Sequence, residues 1–335
     1  MAHKTFRLGD LPLTGGGILR DAELAYQTYG TLSPKGDNVV VMPTFFTGSH
    51  ERNEGYFGPG RALDPARHFI VSINLLGGGI SSSPSNSIVQ SGAAFPEVTF
   101  QDNIRAQHLL LTRELGVSQI ALVLGWSMAG CQAYHWAIQY PEMVRAILPF
   151  CASARTSPHN FVFLEGVKAA LCADPVWNEG RYETQPVEGL KAFGRVYAGW
   201  AFSQAFYRNG MYREIGYESV NALLDDWALD HAKNWDANDL LCKATTWQHG
   251  DVSSGSDFNK NFDAALGSIR ARTILMPCRQ DLYFPPEDNA IEADLIPGAI
   301  FRPIDSDFGH CAANPGNDAN FERSLDKSIA ELLWN

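Results

Sequence analysis

The 335 residues predict an α/β protein: a mostly parallel sheet with helices on both faces and an inserted helical cap. Three observations carry that expectation. Short runs rich in β-branched residues recur without polar interruption, as in NVVVMP and HFIVSINLL, which is how strands buried on both faces read. Helical patterns separate most of these runs, and strand alternating with helix builds parallel sheets. From about 153 to 265 the strand-like runs stop and helical segments dominate.

Along the chain, residues 4–30 alternate polar and apolar positions around glycine-rich turns, so they are expected to form antiparallel strands at a sheet edge. NVVVMPTFFTGSHE (38–51) reads as a buried strand running into a loop, and HFIVSINLL (68–76) as another, ending at Gly77, Gly78 and Gly79. ISSSPSNSIVQSGAAFPE carries no periodicity and is a loop by composition. TFQDNIRAQHLLLTREL (99–115) has apolar residues near helical spacing, with Asp102 as an early-turn acid. Residues 120–124 form the next strand, a helix runs to Pro141, and RAILPFCA (145–152) is a further strand. Three helical segments follow: FVFLEGVKAALCAD, EGLKAFGRVYAGWAFSQAFYRNG and YESVNALLDDWALDHAKNW. In the second, Leu190, Phe193, Tyr197 and Trp200 recur at the spacing of a helix–helix seam. RTILMPCRQD (272–281) and AIFRPIDS (299–306) resume the sheet, and ANFERSLDKSIAELLWN closes it with a helix. The expected division is a core of residues 1–152 and 266–335 with a cap at 153–265.

Composition excludes some functions. A hydrophobic content of 45% supports a sizeable core and argues against disorder. The net charge of −11 repels phosphate backbones, so nucleic acid is not an expected partner. No stretch approaches the roughly 20 apolar residues that span a bilayer. MAHKTFRLGD lacks the apolar segment of a secretory signal, and the six cysteines are scattered without short pairings. A cytoplasmic enzyme with reduced thiols is the expectation. Metal chemistry is not expected, because there is no H-E-x-x-H and no C-x-x-C. The LGGG at 76–79 lacks the spacing of a phosphate-binding loop, so no cofactor is expected.

The chemistry centres on GWSMAG (125–130). A serine between a buried strand and a helix, with small residues at Gly125, Ala129 and Gly130, is the pattern of a nucleophile elbow. The turn is strained, and small neighbours let strand and helix close up while Ser127 projects its hydroxyl. A serine hydroxyl is a poor nucleophile until a base takes its proton and an acid holds that base. The α/β-hydrolase fold delivers these in the chain order serine, acid, histidine, with the partners after later strands. Asp281 follows RTILMPC, and His310 follows AIFRPI in a glycine-flanked loop. Asp305 and Asp307 are rivals for the acid, but they precede His310 in its own loop. Among the other histidines, His50, His108, His135, His159, His231 and His249 lack that placement. An oxyanion hole needs two backbone N–H groups: one from Met128, after the nucleophile, and one from Phe46, with Phe45 as the alternative.

These residues sit in stretches that resemble the homoserine O-acetyltransferase family of α/β-hydrolase-fold enzymes. The similar segments are FTGSH (46–50), GPGRALDPARHFIVSINLLGG (58–78), FPEVTFQDNIRAQHLLL (95–111) and the elbow through PFCASARTSP (149–158). The resemblance covers about the first 160 residues and the Asp281 and His310 loops. It implies the triad Ser127, Asp281 and His310, the oxyanion residues Phe46 and Met128, a helical cap over the site and a homodimer formed through it. Two positions depart from the family. Its elbow typically reads G-G-S-M-G-G, whereas Trp126 here precedes the nucleophile. The family typically has an aspartate after the catalytic histidine to meet the substrate's ammonium group, and here that residue is Cys311. Losing a charged contact to a desolvated ammonium costs about 1.5–3 kcal/mol.

Trp126, Phe45 and Cys311 are therefore expected to line the substrate pocket, with Trp126 as an apolar wall for a small acyl or alkoxy group. Arg195, Arg208 and Arg213 are the arginines considered for holding a carboxylate. The expected activity is a serine carboxylesterase for short, acetate-type esters, acting through an acyl-serine. The alternative is an O-acyltransferase moving acetyl from acetyl-CoA to homoserine or another small alcohol. A third reading, a receptor on the same fold, needs no activated serine.

Overall fold

The computed structural model describes residues 3–255 and 257–334. The described residues form eight strands: β1 (Lys4–Pro12), β2 (Ile18–Tyr29), β3 (Val39–Pro43), β4 (Phe69–Ile73), β5 (Leu122–Trp126), β6 (Ala146–Phe150), β7 (Arg272–Leu275) and β8 (Ile300–Phe301). They form one sheet in the order β1-β2-β4-β3-β5-β6-β7-β8. β1 and β2 are antiparallel to their neighbours at one edge, as their alternation predicts, and the remaining pairings are parallel. β3, β5 and β6 are buried at every position.

The order reverses at β3, which lies between β4 and β5. In an open parallel sheet such a reversal leaves a crevice beyond the carboxyl ends of the two strands. β3 leads there to Phe45 and Phe46, and β5 leads to Ser127. The topology thus brings the two sequence-distant segments to one rim.

Helices cover both faces. In chain order they are α1 (Phe100–Leu109), α2 (Met128–Gln139), α3 (Pro158–Cys172), α4 (Val187–Ala201), α5 (Gln204–Arg208), α6 (Val220–Asn234), α7 (Ala237–Gln248), α8 (Phe262–Gly267), α9 (Pro286–Leu295) and α10 (Ala319–Trp334). Alternate residues of each strand point to opposite faces. Val39, Val41 and Val123 join α1 and α2 in one apolar cluster, while Val40, Met42, Leu122 and Leu124 join α10 and the helices inserted between β6 and β7 in the other. No helix among the described residues is long and apolar enough to cross a membrane.

Local differences from the sequence reading have local causes. Asp102 and Thr99 form a reciprocal capping box at the start of α1, but the expected single helix passes into a π-helical turn at Leu110–Glu114. The long expected helix at 188–210 is two, because Phe202 is extended and the Ser203 hydroxyl caps α5 by accepting from the Phe206 N–H. β5 starts at Leu122 and takes in Trp126; Ile120 makes only an isolated bridge to Val144. The helix α7 lies within the expected helical stretch but outside its three named segments, and it bears on the site.

Candidate active site

Ser127 stands between β5 and α2 with φ 59° and ψ −130°, a region that side-chain-bearing residues rarely adopt. Two glycines make the turn possible. A Cβ on Gly125 would lie 2.4 Å from the Ala129 Cβ, and one on Gly130 would lie 2.5 Å from the Ala152 Cβ. The tight approach exposes the Ser127 hydroxyl to the cavity while the residue stays 2% exposed.

Asp281 and His310 meet at the same rim. His310 Nδ1 lies 2.7 Å from Asp281 Oδ2; an Nδ1–H donated to the carboxylate makes Nε2 the acceptor nitrogen of the neutral ring. Asp281 Oδ1 accepts from the N–H groups of Tyr283 (2.8 Å) and Phe284 (3.1 Å), so the carboxylate is held on both oxygens. The imidazole sits among Trp126, Tyr283 and Phe284, with ring centroids 5.1, 4.6 and 5.6 Å away. This aromatic collar keeps the pair in a poorly hydrated setting, where electrostatic contacts are strengthened. The Cys151 thiol completes the surroundings: its sulfur and the donor atoms of Asp281 and His310 all lie within 4.8 Å of one another. Burial raises the Cys151 pKa well above its ordinary value, so it packs there as a neutral group.

The rival acids lie elsewhere. Asp305 pairs with Arg279 and is exposed, and Asp307 accepts from Asn209. The His310 loop is clamped from the insertion, where Ser203 donates to the Asp307 carbonyl. Gly309 has φ 62°, and a Cβ there would lie 2.7 Å from the Ser203 nitrogen. Of the remaining histidines, His108 stacks on Tyr140 and His135 is buried beside Phe100.

Ser127 and His310 line one cavity of about 340 Å³ together with Phe45, Phe46, Trp126 and Cys311. Among the described residues the Ser127 hydroxyl has no hydrogen-bond partner, and the imidazole bonds through Nδ1 alone. The N–H groups of Phe46 and Met128 likewise donate to no described residue. Met128 opens α2, where the first N–H groups have no partner within the helix. Burial pushes the Cys311 thiol up to about 12, so the residue after His310 carries no charge near neutrality.

The sequence reading missed other cavity residues. Arg52 reaches the mouth, donating to Asn314 Oδ1 (2.7 Å) with its guanidinium 5.0 Å from the Phe45 ring. It directly follows the FTGSHE segment, which was a usable signal. Asp226, Asp230 and His231 of α6 line the opposite side. Arg195, Arg208 and Arg213 do not line the cavity. Lys243 of α7 is 1% exposed, and its Nζ donates to the Phe46 carbonyl at 2.5 Å. Its spacing with Leu240, Ala244 and Trp247, all buried, marked it as facing inward.

Residues 37–313 match the family described as alpha/beta hydrolase fold. The chain is 36% identical to an ethyl acetate hydrolase of Pseudomonas veronii, over 99% of this chain and 96% of that one. It superposes on the crystal structure of an acetylester hydrolase from Corynebacterium glutamicum with a TM-score of 0.95 and 35% identity, over 99% of this chain and 96% of the other. It is also 32% identical to the homoserine O-acetyltransferase of Trichormus variabilis, over 90% of this chain and 86% of that one. The fold and the elbow define an α/β hydrolase. The chain belongs to the group of that family in which homoserine O-acetyltransferases and acetyl ester hydrolases are found.

Proposed function

We propose that this protein is a serine carboxylesterase hydrolysing short, acetate-type esters. The observation that carries the reading is the His310–Asp281 pair, joined at 2.7 Å and sharing one aromatic-walled cavity with Ser127 at the strained elbow. His310 Nε2 takes the hydroxyl proton as Ser127 Oγ attacks the ester carbonyl, the two atoms coming together by rotation of the serine side chain. The tetrahedral oxyanion faces the N–H groups of Phe46 and Met128. Collapse expels the alcohol, which takes its proton from His310, and leaves acyl-Ser127. Water then repeats the sequence on the acyl-enzyme: His310 accepts its proton, the acid departs and Ser127 regains its hydrogen. Asp281 holds the imidazole tautomer and stabilises its charged form.

Water is favoured as acceptor because the residue beside His310 is a neutral thiol, which offers an ammonium group no charge. The relative named ethyl acetate hydrolase supports the same choice. The test is acid release from ethyl acetate and similar esters without any added alcohol; silence across such a panel refutes the hydrolase. The second reading, acetyl transfer from acetyl-CoA to homoserine or another small alcohol, is supported by the homoserine O-acetyltransferase relative. It requires CoA release that depends on the acceptor.

Residues 153–265 act as a cap, supported by the cavity wall they share with the core. Exposed Phe161 and Val162 on α3 support a homodimer through this region, which light scattering measures. Free thiols at all six cysteines support a cytoplasmic location.

A further inference from the structure

We propose that Lys243 is a positioning residue for the oxyanion hole, holding the Phe46 carbonyl so that the adjoining N–H stays aimed into the cavity. The inference rests on the ester-hydrolysis reading and adds a member to its machinery. Lys243 and Phe46 are 197 residues apart, and the bond joins α7 of the insertion to the loop after β3. The ammonium lies 4.0 Å from the centroid of the Trp235 ring and 5.3 Å from that of Phe46. Among the described residues it forms no ion pair. The nearest acid along the helix, Asp239, accepts instead from the Ser85 N–H (3.0 Å) and hydroxyl (2.6 Å).

Asp239 attracts the ammonium from one turn away without contacting it, and a buried amine with no carboxylate in contact is a costly way to fill space. Methionine would occupy the same volume without desolvating a charge. What the amine adds is direction, because it donates to one particular carbonyl. The loop is tied on either side of that carbonyl by weaker means. Gln132 donates to the Thr44 carbonyl at 3.1 Å, the Leu75 N–H to the Thr44 hydroxyl at 3.0 Å, and the Gly48 N–H to the Phe45 carbonyl at 3.0 Å. None of these ties holds the peptide that follows Phe46. With that peptide fixed by Lys243 and the Phe45 carbonyl fixed by Gly48, rotation of the Phe46 N–H is restrained from both sides. Burial pulls the Lys243 pKa down to about 7, and the amine remains a donor in either protonation state.

The test compares wild type with Lys243→Met, which has no donor, and Lys243→Gln, whose donor sits one bond short of the lysine's. Rates on a short acetate ester are expressed per serine titrated to completion with a fluorophosphonate, which removes unfolded enzyme from the comparison. The expected result is kcat lower by about 10- to 100-fold with KM changed less than about threefold. A methyl trifluoromethyl ketone, which forms a tetrahedral oxyanion on the enzyme, should lose affinity by a similar factor. Variants with kcat within about twofold of wild type overturn the proposal, as does a fall in kcat with ketone affinity unchanged. Wild-type enzyme that cleaves no ester refutes the underlying hydrolase reading; active wild type with equally active variants refutes the Lys243 role alone.

Discussion

The reactivity assigned to Ser127 comes from its neighbours, and each can be removed separately. Asp281 accepts from two backbone N–H groups while holding His310, so Asp281→Asn keeps the shape but cannot keep the tautomer. By analogy with other serine enzymes, kcat should fall about 10⁴-fold, read as ester hydrolysis per titrated serine. A fall below tenfold would show that the aspartate does not orient the imidazole. Glu292 offers a second test at this scale. Its fully buried carboxyl accepts from Tyr134, Ala154 and Asn289, and burial raises its pKa to about 7. The folded chain therefore keeps a proton that the unfolded chain loses near 4.5. The stability due to that proton is complete below about pH 4.5 and is lost as pH rises through about 7, amounting to about 3 kcal/mol. Relative to Glu292→Gln, wild type should lose Tm between pH 5 and 8; a constant difference would contradict the account. The sequence singles out Ser127, Asp281 and His310 as candidates because each follows a strand-like run, and the fold brings Asp281 and His310 into contact beside the cavity that Ser127 lines. Lys243 and Arg52 were legible only in part: the sequence shows that Lys243 faces inward and that Arg52 follows FTGSHE, but what these residues and His231 meet is set only when segments far apart in the chain are folded together.

At the scale of elements, the strand–elbow–helix unit depends on close backbone approach. The Gly130 site abuts Ala152 and the Gly125 carbonyl, so even one added methyl must displace the end of β6 or the start of α2. Gly130→Ala should cost about 1–3 kcal/mol and lower activity together with Tm. An unchanged Tm would mean that the junction yields more easily than its spacing implies. Strands were read well because β-branched runs buried on both faces are distinctive. The insertion was read less well. Phe202 and Ser203 interrupt what looks like one periodic helix, and α7 hid because its inward face includes a lysine.

Across the whole molecule, the insertion shares one apolar cluster with the sheet. Phe163, Leu190, Phe193 and Trp247 belong with Leu122, Leu124 and Phe150. A shared core couples the two parts on unfolding. Near-ultraviolet dichroism, in which the insertion's tryptophans weigh heavily, should melt together with far-ultraviolet dichroism and ester hydrolysis. Two separated transitions would show that residues 153–265 fold on their own.

The positive φ of Ser127 also sets function against durability. A side chain at that bend works against the native state, while glycine tolerates it. Ser127→Gly should therefore outlast Ser127→Ala on heating, by about 1–3 kcal/mol. Both should be inert toward esters, and the comparison weighs what the molecule gives up to keep a hydroxyl at the crest of its sheet. Equal melting would mean that the bend is borne without penalty.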